Sequence, residues 1–122
     1  MSRMEAVPVL LVGLSMRLGE LLETGLKPDF SIVAAETVDK AVDILCRRQI
    51  YAVICKIDDT WNGGIVLNER MRAVGCKAGI IFMGSSLTDV QRAYIERHKI
   101  AYFQIPFMTA HLPALLKELQ PD

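Results

Sequence analysis

Residues 50–64 read IYAVICKIDDTWNGG, and the reading of this stretch decides the fold. Tyr51 to Cys55 is an apolar run of strand length with no charge inside it. A run of this kind predicts a strand covered on both faces, since a strand with one wet face would alternate apolar and polar residues. Asp58 to Gly64 is rich in turn formers and predicts a loop. Beyond it Leu67, Met71 and Val74 recur at helical spacing and are expected to face inward. Strand, loop and helix in this order form one unit of an α/β domain.

The same unit recurs on both sides. Upstream, Val9-Leu10-Leu11-Val12 is a second doubly covered strand; Leu18, Leu21 and Leu22 follow at helical spacing, with Thr24-Gly25 as the expected stop. Phe30 to Ala35 is a further strand, and Thr37 is placed to cap a helix that turns Val38, Ala41, Val42 and Leu45 to one side. Downstream, Ile80-Ile81-Phe82-Met83 leads through Gly84-Ser85-Ser86 to a helix, with Ser86 and Asp89 in the spacing of a capping box. Ala101-Tyr102-Phe103-Gln104 is the fifth strand, and Leu112, Leu115, Leu116 and Leu119 stripe a final helix. Connections too long for hairpins predict an all-parallel sheet with right-handed crossovers and helices on both faces. The architecture expected is a doubly wound α/β fold in a single domain spanning residues 1–122.

Composition agrees. With 52% hydrophobic and 23% charged residues, a chain of 122 residues fills a core without metal or disulfide staples. Fourteen basic residues balance fourteen acidic ones, so no overall field draws the chain to nucleic acid or to anionic lipid. Cys46, Cys55 and Cys76 are odd in number, widely spaced and without a CxxC pair, and neither His98 nor His111 joins them in a metal-ligand pattern. They are expected to be reduced thiols. The amino terminus, MSRMEAVP, lacks the pattern of a secretory signal, and no apolar stretch approaches membrane-spanning length. A cytoplasmic location is expected.

In doubly wound domains the functional crevice lies outside the carboxyl ends of the strands. Here those ends carry Gly13-Leu14-Ser15, Ala35-Glu36, Lys56-Ile57-Asp58-Asp59, Gly84-Ser85-Ser86 and Ile105-Pro106. They do not assemble a catalytic set. Gly13 and Gly19 lack the spacing of a dinucleotide fingerprint, and no Walker pattern follows. No histidine stands at a strand end to activate a serine. The hydroxyls of Ser15, Ser85 and Ser86 are candidate crevice contacts that could converge on one ligand oxygen, although roles as helix caps and turn residues account for them better. Asp58 and Asp59 are the only acidic pair near the crevice, with Lys56 as neighbour. No enzymatic activity and no cofactor or metal are expected.

The order of elements, the length and several motifs resemble the receiver domain of two-component response regulators. IYAVICKIDDTWNGG is similar to that family's third strand and following loop, IAYFQIPF to its closing aromatic–lysine–proline segment, VLLVGLS to its first strand, and IIFMGSS to its fourth. The resemblance covers about Val9 to Leu119 and implies a flavodoxin-like sheet of strand order 2-1-3-4-5. It also implies where phosphotransfer chemistry would sit. The family's metal-holding acidic pair falls on Gly13 and Leu14, its phosphoacceptor aspartate on Lys56, its hydroxyl on Gly84 and its lysine on Ile105. A slip of one residue would put Ile57 at the acceptor position. All five functions are lost on this alignment, which implies a degenerate pseudo-receiver.

An ammonium at the acceptor position repels a divalent cation by roughly 8 kcal/mol at about 4 Å and an effective dielectric near 20. Lys56 is expected instead to serve as a fixed positive charge, bonded to Asp58, Asp59, Ser15 or Ser85. Function then rests on protein partners, and the resemblance implies a face made by the fourth helix, fifth strand and final helix, with homodimerisation as one use. It maps onto Val90, Tyr94, Tyr102 and Phe103, with Tyr102 at the family's switch-aromatic position. Trp61, the single tryptophan, is either a lid or a partner anchor, or packs on Met16 or on neighbouring helices. Two rivals stay open: a small-ligand sensor using the same crevice, and a receiver phosphorylated at a displaced Asp58 or Asp59. Receivers are often the input half of a longer regulator, so the chain is also readable as an amino-terminal part.

Overall fold

The computed structural model describes residues 7–26, 29–59 and 61–104. In chain order the elements are β1 (Val7–Val12), α1 (Met16–Leu26), β2 (Phe30–Ala35), α2 (Val38–Arg47), β3 (Ala52–Lys56), α3 (Gly63–Ala73), β4 (Gly79–Gly84), α4 (Asp89–His98) and β5 (Ala101–Gln104). All neighbouring strands pair in parallel, in the order β2-β1-β3-β4-β5. The expected topology holds. Ile105, Pro106, Phe107 and the leucine stripe of the final helix lie outside the described residues.

The strands are mostly apolar because each feeds two cores. Leu10 and Val12 of β1, Val53 and Cys55 of β3 and Phe82 of β4 join one buried cluster with Ala41, Leu67, Met71 and Ile95 of the helices. The alternate residues Val9, Leu11, Ala52, Ile54, Ile81 and Met83 join a second cluster with Leu22 and Leu26 of α1. This is the two-residue period of a pleated strand expressed on both faces. Each fully buried aliphatic or aromatic side chain contributes roughly 1.5–3 kcal/mol. Cys55 is buried among them: burial pushes its thiol up to about 12, so it is an inert core residue. No helix among the described residues is long and apolar enough to cross a membrane.

Several local expectations change in the folded chain. Thr24-Gly25 does not stop α1, which continues to Leu26. Leu18, Leu22 and Leu26 form the inward row, Leu22 and Leu26 fully buried, while Leu21 faces out at 56% exposure. Burial of Leu26 outweighs the cost of about 1 kcal/mol for a helical glycine. In α3, Leu67 and Met71 point inward as expected, but Val74 is the C-cap residue and 57% exposed. Thr37 does cap α2, its hydroxyl accepting the Lys40 amide at 3.1 Å. The capping box of α4 is Thr88 with Gln91, not Ser86 with Asp89. Gln91 is long enough to reach back to the Thr88 amide, and β4 runs on to Gly84, so the chain needs the intervening residues to turn.

Candidate functional site

The loops after β1, β3 and β4 meet at the carboxyl end of the sheet because β3 lies between β1 and β4, with Val12 level with Cys55 and Lys56 level with Met83. Their meeting point is filled by the chain itself. Gly13 leaves β1 with φ of 75°, a left-handed conformation that glycine adopts without strain. A Cβ at that position would stand 2.7 Å from the Cη2 atom of Trp61. The indole also lies against Gly63, where a Cβ would overlap the ring. Trp61 is held in place by backbone pairing with Asp58: each amide donates to the other's carbonyl at 3.1 Å. Of the two packing partners expected, the indole takes the neighbouring helix, at Gly63 where α3 begins, while Met16 is 82% exposed. Three positions that spare a Cβ or supply a ring thus close the mouth of the crevice.

The β4 side is closed by backbone. The Ile57 amide donates to the Met83 carbonyl at 3.0 Å, which brings the Ile57 carbonyl over Gly84. A Cβ on residue 84 would overlap that carbonyl oxygen and lie 2.9 Å from its carbon. The Tyr102 hydroxyl donates to the Gly84 carbonyl at 2.9 Å and ties β5 to the same spot. Burial, with smaller opposing effects of Arg92 and Asp58, raises the Tyr102 phenol above its ordinary value, so it stays a neutral donor.

Charge in the crevice is paired. Lys56 Nζ stands 3.4 Å from Asp58 Oδ2, with side-chain exposures of 41% and 13%. Asp59 is exposed. The Ser15 hydroxyl caps α1, accepting the Leu18 amide at 3.2 Å, and Ser85 is exposed on the β4–α4 turn. A depression of about 390 Å³ beside the crevice is lined by Leu14, Ser15, Arg17, Leu18, Leu21 and Lys56, without Ser85. The two serines that a shared ligand pocket would need are not brought together there.

Gln91 is the site residue that sequence reasoning missed. It is 5% exposed, and every polar atom of its side chain is engaged. Its oxygen accepts the Thr88 amide at 2.9 Å, and its nitrogen donates to the Asp58 carbonyl at 2.8 Å and to Asn62 Oδ1 at 3.1 Å. One amide side chain therefore bolts the first turn of α4 to the loop that carries Trp61. The Thr-x-x-Gln spacing was its only signal; the cross-loop bonds belong to tertiary structure.

The expected interaction face divides. Val90 is 78% exposed on α4. Tyr94 instead turns to α3, where its hydroxyl accepts from Asn68 Nδ2 at 2.7 Å and donates to Glu69 Oε2, while its ring stacks on His98 with centroids 4.1 Å apart. Burial and the Glu69 hydrogen bond raise its phenol. Tyr102 and Phe103, grouped together in the sequence reading, face opposite sides of the sheet: Tyr102 packs on the α3–α4 cluster and Phe103 on the α1 cluster. Alternation along β5 allows nothing else. Ile105 lies outside the described residues.

No family model matches the sequence, and no curated protein matches it. Solved structures do. The signal receiver domain of an HD domain-containing protein from Pseudomonas fluorescens Pf-5 superposes with a TM-score of 0.79 at 19% identity, over 98% of this chain and 90% of that one. A CheY-like response regulator receiver domain protein from Methanospirillum hungatei JF-1 gives 0.80 at 14% identity, over 93% and 92%. A response regulator receiver protein from Sinorhizobium medicae WSM419 gives 0.76 at 21% identity, over 96% of each chain. At such identities the likeness establishes the fold: a CheY-like, flavodoxin-type α/β sandwich. The Mg²⁺ that this fold holds in receivers finds no matching donors here. Gly13 and Leu14 offer no side-chain oxygen, the Asp58 carboxylate is paired with Lys56, and no cluster of three metal-ligating side chains occurs among the described residues.

Proposed function

We propose that this chain is a receiver-like signalling domain of the pseudo-receiver type, which works through protein–protein contacts and neither accepts phosphate nor catalyses a reaction. The observation that carries this reading is the Trp61 indole lying on Gly13, where a receiver would place a metal-binding carboxylate. Support comes from the β3 end, where an ammonium paired to Asp58 occupies the acceptor position, and from the Ile57 carbonyl that leaves no room for a hydroxyl side chain at position 84. Lys56 supplies internally the positive charge that a bound metal ion supplies in a working receiver. The crevice is thereby held in one state, and Gln91 passes that state to α4. The partner-binding surface is the exposed part of α4 around Val90 with the neighbouring β5 edge, open to a protein partner or to a second copy of the chain. Cytoplasmic residence, and a place as the input part of a longer regulator, belong to the same reading.

The test uses Trp61 as its reporter, since it is the single tryptophan. The protein is incubated with Mg²⁺ and beryllofluoride, and separately with acetyl phosphate, while fluorescence and intact mass are followed. No saturable fluorescence change and no phosphoryl adduct are expected. A saturable change together with an adduct that disappears in Asp58→Asn or Asp59→Asn would establish phosphorylation at a displaced aspartate and overturn the proposal.

A further inference from the structure

A second concavity lies at the opposite end of the sheet, where the chain leaves α2 and α3 and enters β3 and β4. It encloses about 820 Å³. Ile50, buried at 7% exposure, and the half-buried Leu45 and Ala78 give it an apolar lining, and Val74 presents an apolar side chain at its edge with 57% exposure. Arg48 and Lys77 add two exposed cations, and none of the described residues that line it is acidic. Neither cation has an ion-pair partner among the described residues, whereas the nearby Arg47 is paired with Asp43 and Arg70 with Asp39. The carboxyl ends of α2 and α3 contribute about half a negative charge each, which leaves the groove net positive.

We infer that this groove docks an acidic peptide segment of a partner protein, with aliphatic side chains entering the apolar lining and carboxylates meeting Arg48 and Lys77. A nucleic acid does not suit it, because affinity for a polyanion scales with the number of phosphates neutralised and, among the described residues, only two cations line it. A flat bilayer does not enter a concave site. The inference stands apart from the fate of the crevice, since the two sites occupy opposite ends of the strands. It gives the domain a second contact surface that stays free while α4 is engaged.

The exposed thiol of Cys46 lines the same groove and serves as a local probe. The full chain is titrated into a fluorescein-labelled octapeptide of alternating glutamate and leucine, with a lysine–leucine octapeptide as the charge control and octanoate as a small competitor. Saturable anisotropy is expected for the acidic peptide only, weakening as salt is raised. Bound peptide should slow alkylation of Cys46. Arg48→Glu combined with Lys77→Glu should weaken binding at least about tenfold, with a thermal melt like that of the parent because both positions are exposed. Equal affinity for the lysine–leucine peptide, unchanged affinity in the charge-reversed variant, unprotected Cys46 at saturation, or full displacement by octanoate at equimolar concentration would each overturn the inference.

Discussion

Replacing Gly84 by serine would place at this position the hydroxyl that a receiver carries after its fourth strand, and the structure says the fold will be strongly destabilised by it. The new Cβ would occupy the space of the Ile57 carbonyl oxygen. To reach van der Waals distance, the loop after β3 must withdraw by about 1–2 Å, because repulsion rises steeply inside contact. Withdrawal removes the 3.0 Å bond from the Ile57 amide to the Met83 carbonyl. It also disturbs the 2.9 Å bond from Tyr102 to the Gly84 carbonyl. Two hydrogen bonds are worth about 1 kcal/mol each, and overpacking adds roughly 1–3 kcal/mol. The sum is a loss of about 3–5 kcal/mol, against a total stability on the order of 5–15 kcal/mol. A chain of this size should then melt about 10–20 °C lower. Urea unfolding followed by Trp61 fluorescence and by circular dichroism measures the change, with Ser85→Ala, an exposed neighbour, expected within about 0.5 kcal/mol of the parent. If Gly84→Ser also falls within about 0.5 kcal/mol of the parent, the Ile57 carbonyl does not cover β4 and the closed-crevice argument is refuted.

Gln91→Ala removes two donated hydrogen bonds and half of the α4 capping box, and should destabilise the fold by about 2–3 kcal/mol; hydrogen exchange of the α4 amides should rise with it. Lys56→Asp returns a carboxylate to the acceptor position but no metal ligands at the end of β1, so beryllofluoride with Mg²⁺ should still leave Trp61 fluorescence unchanged. A response in this variant would show that Lys56 alone had disabled the site. All three tyrosines are raised above their ordinary value of 10.0, by burial first in each case. In the unfolded chain the phenols ionise first, near pH 10, so stability is flat below that pH and falls as pH rises through the higher folded values. Phenolate absorbance of the folded protein should appear at higher pH than in urea, and the urea midpoint should decline from about pH 10 upward; coincident titrations would contradict the packing of Tyr94 and Tyr102.

The two-sided burial of β1, β3 and β4 was legible because a strand in the middle of a parallel sheet has no wet face, and runs such as Val9 to Val12 record this without help from any other residue. Thr37 was legible for the same kind of reason, since a cap bonds an amide three residues away. Helix ends were less so. Whether α1 stops at Gly25 depends on what Leu26 can be buried against, and whether Val74 faces inward depends on where the helix ends beneath it. Tyr102 and Phe103 were grouped because a family surface was carried over as a segment, whereas a strand sends neighbours to opposite faces.

The crevice divides along the same line. The residue types at the strand ends, Gly13 and Leu14, Lys56 and Gly84, follow from the chain alone, and with them the shortage of carboxylates. That the space is closed follows only from three dimensions: Trp61 reaches Gly13 from 48 residues away in sequence (61 − 13), Ile57 covers Gly84, and Gln91 holds the two loops together. Local sequence governs bonds and periods that complete themselves within a few residues. Contacts between distant loops are selected by the folded backbone that brings them within reach, and no pattern in the chain announces them beforehand.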